Sequence, residues 1–90
     1  MLEIKPTGRF KRDLKAAARR RCDFSALDEV VTKLAQGQPL PEKNCDHALS
    51  GKYAGCRECH IYPDWLLIYK TNETDLILYL MRTGTHSDLF

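Results

Sequence analysis

An α+β fold is predicted for this chain of 90 residues, built as a short N-terminal strand, two helices and then an antiparallel sheet meander. Three observations predict it. Apolar residues recur at helical spacing from Phe10 to Leu34, and from Leu49 onward the pattern turns to alternation broken by tight turns. Divided in two, the chain would leave pieces too small to bury a core, so residues 1–90 read as a single compact domain. A composition of 43% hydrophobic and 29% charged residues is that of a globular domain and excludes wholesale disorder.

The elements follow in order. Leu2 to Ile4 is a strand candidate ended by Pro6. Thr7 to Arg20 predicts a helix, with Phe10, Leu14, Ala17 and Ala18 in one apolar stripe. A second helix is capped by Asp23 or Ser25, carries Leu27, Val30, Val31 and Leu34 on its apolar side, and is closed by Gly37. Gly37 to Asp46, with Pro39 and Pro41, is a loop long enough to carry function. Cys56 to Tyr62 alternates, placing Arg57, Cys59 and Ile61 on one side and Glu58, His60 and Tyr62 on the other. Pro63-Asp64 turns the chain into a strand from Trp65 to Lys70. Asn72 to Asp75 turns it again into Leu76 to Arg82, whose Leu76, Leu78 and Leu80 are expected to face the helices. Trp65 is expected in the core, with Tyr62 and Tyr69 packing on strands.

The net charge of +2 hides an uneven distribution. Residues 1–21 hold eight basic and two acidic residues, a local +6, and the remainder carries −4. Arg9, Arg12, Lys15, Arg19 and Arg20 lie opposite the apolar stripe of the first helix. Such a face is either simply solvated or a surface that neutralises the phosphates of a nucleic acid.

Cysteine supplies two motifs that the strand pattern argues against. Cys56-Arg57-Glu58-Cys59-His60 matches the C-x-x-C-H of covalent haem attachment, and Cys45, His47, Cys56 and Cys59 are ligand types for zinc. Cysteines three apart on a strand face opposite sides, which suits neither a haem edge nor a zinc knuckle. The four cysteines are expected as reduced thiols, and no metal or cofactor is expected. No apolar run approaches the roughly 20 residues of a membrane-spanning helix. Met1 to Pro6 lacks the apolar core of a secretory signal, so a cytoplasmic location is expected.

The stretch Arg57-Glu58-Cys59-His60-Ile61-Tyr62-Pro63-Asp64-Trp65-Leu66-Leu67-Ile68-Tyr69-Lys70, with Asp46 to Tyr53 before it and Arg82 to Phe90 after it, closely resembles the YafQ branch of the RelE-like toxins. The likeness spans essentially the whole chain, since length, element order and the basic first helix also match. It implies a RelE-like fold and a ribosome-dependent mRNA interferase of a bacterial type II toxin–antitoxin system, cutting translated mRNA in the ribosomal A site. The catalytic set it implies falls on His47, His60, Asp64 and His86, with Phe90 also involved, and Arg82 corresponds to an arginine near the site. It further implies a cognate antitoxin, expected to bear a ribbon-helix-helix DNA-binding half of the DinJ or RelB kind. The 70S ribosome and mRNA are the other implied partners; operator DNA is reached only through the antitoxin complex, and no membrane is involved.

These residue types suit the chemistry. Attack by the RNA 2′-hydroxyl requires that it lose a proton, that charge on the phosphorane be met, and that the departing 5′-oxygen gain a proton. Histidine performs both transfers near neutral pH without a metal. His86 is expected as general acid and His60 or His47 as base. Asp64, four residues after His60, is placed to orient a histidine, and Arg82 to meet charge on the phosphate. The rival reading, from a different class, is a non-catalytic nucleic-acid- or antitoxin-binding module with the same fold. A zinc or haem protein built on Cys56, Cys59 and His60 is the third.

Overall fold

The chain folds as β1 (Glu3–Pro6), α1 (Gly8–Arg19), α2 (Phe24–Ala35), β2 (His47–Ala48), β3 (Arg57–Tyr62), β4 (Trp65–Asn72), β5 (Ile77–Gly84) and α3 (His86–Leu89), in a computed structural model describing residues 1–90. Thr7 starts α1 by accepting the Phe10 N–H on its hydroxyl at 3.1 Å, and Asp23 starts α2 by accepting from Ser25 at 3.0 Å. Beyond α2, Gly37 takes a φ of 71°, which a side chain would resist.

The five strands form one sheet in the order β1-β5-β4-β3-β2. The β2–β3, β3–β4 and β4–β5 pairs are antiparallel, whereas β1 runs parallel to β5, with Glu3 opposite Ile77 and Pro6 opposite Leu80. The expected meander is therefore present, and the first strand makes the sheet mixed by returning to its far edge.

Alternation along β4 divides the interior. Trp65, Leu67 and Tyr69 join Phe10, Ala17, Leu27, Val30, Val31, Leu34, Cys59, Leu78 and Leu80 in the main core under α1 and α2. Leu66 and Ile68 face the other way and pack with Cys56 and Leu89 beneath α3. Burying each such leucine contributes roughly 1.5–3 kcal/mol, so the small cluster is enough to seat a helix of one turn. Trp65 donates its indole N–H to the Thr83 hydroxyl at 2.8 Å, which in turn donates to the Leu66 carbonyl at 2.7 Å.

Several expectations need correction. Leu76 lies in the turn before β5, with φ 57° and 55% of its surface exposed, instead of on the row of Leu78 and Leu80. Ala18 is exposed, and the α1 side chains that are buried are Phe10 and Ala17. Tyr62 leaves the Glu58–His60 side because the β3–β4 register shifts between His60 and Tyr62; it stacks on Trp65 and donates to Asp23 at 3.1 Å. The chain beyond β5 closes in the helical turn α3, for which no helix was expected. No helix is long and apolar enough to cross a membrane.

Candidate active site

The site occupies the sheet face opposite α1 and α2, at the end where β3, the β3–β4 turn and α3 meet. Glu58 and His60, two apart on β3, project from the same face, and His47 lies opposite Glu58 across the β2–β3 ladder. The Glu58 side chain is only 5% exposed, and its Oε1 lies 3.5 Å from His47 Nε2 and 3.6 Å from His60 Nε2. Both separations lie just beyond the usual hydrogen-bond length. His47 Nδ1 sits 2.6 Å from the Cys45 carbonyl, which can only accept, so that nitrogen carries a proton and Nε2 is the atom turned to Glu58.

The loop bearing His47 is fastened by its neighbour. Asp46 accepts from the Tyr69 hydroxyl at 2.6 Å and from Arg57 Nε at 3.3 Å. Burial, with Asp46 adding to it, pushes the Tyr69 phenol far above its ordinary range, so it stays a donor at any physiological pH.

On the other side of His60 stands His86, their ring centroids 5.8 Å apart. Asp64, in the turn after β3, accepts from the His86 ring Nδ1 at 3.0 Å and from its backbone N–H at 3.2 Å. Hydrogen bonding from His86 holds the Asp64 carboxyl below the usual carboxylate range. Phe90 lies 6.5 Å from the His86 ring and meets the Tyr53 ring edge-on at 5.5 Å. The Tyr53 hydroxyl donates to the Leu89 carbonyl and accepts from Arg82 Nη1, both at 3.3 Å.

The structure thus brings His47, His60, Asp64, His86 and Phe90 into one patch, with Arg82 joined to it through Tyr53. Arg82 is not a free cation. Its Nε and Nη2 grip the Asp13 carboxylate at 2.7 and 3.2 Å, leaving only part of its donor set toward the site. Of the basic helix residues, Arg9, Arg12, Lys15 and Arg19 are exposed and make no ion pair, whereas Arg20 is committed to Asp88 at 2.5 Å. Arg9 and Lys52 share a cavity of about 230 Å³ with Tyr53 and Arg82. Cys56 belongs to the small cluster and Cys59 to the main core, so their sulfurs lie on opposite sides of the sheet and no single haem or zinc takes both. Burial pushes the Cys59 thiol up to about 12, which leaves it unreactive.

Four site residues escaped the sequence reading: Glu58, Tyr53, Asp13 and Asp46. For Glu58 the signal was present, since the alternation already put it beside His60. The other three act through contacts between distant segments, such as Asp13 with Arg82, for which spacing gives no sign.

A basic α+β domain that gathers three imidazoles, two carboxylates and an arginine on one open sheet face has the make-up of a small RelE-type toxin. Residues 2–90 match the family model described as "Bacterial toxin of type II toxin-antitoxin system, YafQ", and the chain belongs to that family. It is 42% identical over 89 residues to the mRNA interferase toxin YafQ of Escherichia coli K12, covering 98% of this chain and 95% of that one. Among solved structures it is similar to a metal-bound toxin from Helicobacter pylori (TM-score 0.94, 42% identity, all of both chains). It is also similar to YafQ in the E. coli DinJ–YafQ complex (TM-score 0.90, 38% identity, 100% of this chain and 99% of that one).

Proposed function

We propose that this protein is the toxin of a type II toxin–antitoxin system and cleaves translated mRNA on the ribosome, using imidazoles as its acid and base. The observation that carries the proposal is the His60–His86 pair, 5.8 Å apart and flanked by Glu58 on one side and Asp64 on the other. In this reading His60, or His47 on the far side of Glu58, removes the proton from the 2′-hydroxyl. The O2′–P bond forms as the P–O5′ bond breaks, and His86 gives a proton to the departing 5′-oxygen. The products are a 2′,3′-cyclic phosphate and a 5′-hydroxyl. Asp64 holds His86 by Nδ1, directing Nε2 to the substrate. Arg82 meets charge on the non-bridging oxygens through the N–H groups that Asp13 does not take, and Phe90 stands beside the His86 ring.

The free cations of α1 hold ribosomal RNA by its phosphates, a contact independent of sequence. Translated mRNA is the substrate, so the protein acts in the cytoplasm, and a DinJ-like antitoxin binds and restrains it, E. coli YafQ having been solved in a toxin–antitoxin complex with DinJ. The deciding experiment is cleavage of mRNA on programmed ribosomes. The wild type cuts, while His60→Ala and His86→Ala, each folded, do not; cutting by both variants overturns the reading.

One observation favours a second, metal-bound form. Ligand atoms of Glu58, His60 and His86 all lie within 4.8 Å of one another, and one carboxylate with two imidazoles is a donor set that suits zinc or copper. The H. pylori relative is named as metal-bound. A metal here would occupy the nitrogens needed for proton transfer, so added zinc is expected to inhibit cleavage.

A further inference from the structure

His86 is carried by a helix of four residues, far too short to hold its own shape. Its imidazole is 55% exposed, and its side-chain partner Asp64 is 68% exposed on a turn. Contacts beyond this exposed pair therefore help to fix the angle at which α3 presents the ring. Leu89, 2% exposed, plugs α3 into the small cluster, and Tyr53 and Asp64 hold its ends, but none of these ties α3 to α1.

We infer that Asp88 is a positioning residue for His86, locking α3 to the end of α1 through Arg20. Asp88 Oδ2 accepts the Thr85 backbone N–H at 3.0 Å while the Thr85 hydroxyl accepts the Asp88 N–H at 3.2 Å, a reciprocal cap on the turn that begins with His86. The same carboxylate receives Arg20 Nη1 at 2.5 Å and Nη2 at 3.2 Å, a two-pronged grip that sets direction as well as distance. Arg20 is a firm anchor because its backbone N–H closes the last turn of α1 on the Ala16 and Ala17 carbonyls. Gly84 completes the lock. A Cβ there would stand 2.9 Å from the Asp88 Cβ and Oδ2, so only a glycine lets the strand end pass this close to the carboxylate. Arg20, and Thr85 after it, hold the Asp88 carboxyl well below its usual range, so the lock is fully charged at neutral pH.

Arg20 therefore belongs to the internal architecture more than to the phosphate-binding face. The kinetic side of this inference rests on the acid–base reading above, whereas the structural side does not. The test compares Asp88→Ala, Asp88→Asn and Arg20→Lys for kcat and KM on programmed ribosomes, together with amide exchange of Leu89 and Phe90 and the magnetisation transfer between the His60 and His86 rings. Asp88→Ala is expected to lower kcat about tenfold or more with KM little changed, since a small misplacement of a catalytic group is that costly. It should also speed exchange at Leu89 and Phe90 and weaken the ring-to-ring signal, with the main core unaltered. Asp88→Asn, which still accepts from Thr85, and Arg20→Lys, which keeps a charge, should each recover part of the loss. Wild-type kcat, exchange and ring contact in Asp88→Ala would overturn the inference. If the wild type itself fails to cleave, the acid–base reading falls, and the exchange and ring contact still decide whether Asp88 fixes His86.

Discussion

Asp64 receives two hydrogen bonds from a single residue: the backbone N–H and the ring Nδ1 of His86 both reach its Oδ1, at 3.2 and 3.0 Å. The pair joins the β3–β4 turn to the start of α3 and leaves Nε2 as the ring nitrogen not taken by Asp64. Because His86 lowers the Asp64 carboxyl in the folded protein, its contribution is complete above the unfolded value of about 3.9 and is lost as pH falls through the folded one. Carboxyl-carbon titration by NMR should place the Asp64 midpoint below about 3.9, and His86→Ala should move it back up. An Asp64 midpoint unaffected by His86→Ala would mean that the two do not interact in solution.

Glu58 is the buried carboxylate between two imidazoles, 3.5 Å from His47 Nε2 and 3.6 Å from His60 Nε2. If Glu58 orients the proposed base, Glu58→Gln should lower kcat about tenfold or more, the cost of a misplaced imidazole, with KM little changed. Its denaturation midpoint should move little, since glutamine fills the same space and its amide can hydrogen-bond an imidazole nitrogen. Steady-state kinetics on programmed ribosomes and a urea titration check the two halves separately.

Thr83 links the Trp65 indole to the Leu66 carbonyl in the dry interior. Thr83→Val keeps the shape and strands a buried donor and acceptor, so unfolding free energy should fall by about 1–3 kcal/mol. Chemical denaturation measures the difference directly.

If the exposed cations of α1 hold ribosomal RNA as proposed, they act on docking and not on chemistry. Replacing Arg12, Lys15 and Arg19 together by glutamine should raise KM for programmed ribosomes about tenfold or more and flatten its dependence on salt, with kcat at saturation retained. Equal KM values at low and moderate salt for both proteins would assign α1 a merely solvated face.

Much of this molecule is legible in the sequence where periodicity carries the information. The α2 residues Leu27, Val30, Val31 and Leu34 are all buried as their spacing predicts, and Cys56 and Cys59 part to opposite faces as a strand requires. The alternation fails at Tyr62, where a register shift turns the side chain over, because a bulge is decided by pairing across strands and leaves no local trace. The convergence of His47, His60 and His86 came from resemblance, as no spacing rule joins residues brought together by three different segments. What remained hidden are the long-range ties, Asp13 with Arg82 and Arg20 with Asp88, which exist only after α1 has packed on the sheet.

The most direct test of imidazole acid–base cleavage is the chemical nature of the mRNA ends made on programmed ribosomes with zinc and other transition metals chelated and magnesium retained for the ribosome. The account predicts undiminished cutting that leaves a 2′,3′-cyclic phosphate and a 5′-hydroxyl, both absent with His86→Ala. Ends bearing a 3′-hydroxyl and a 5′-phosphate, or cutting that stops on chelation and returns with added metal, would contradict it.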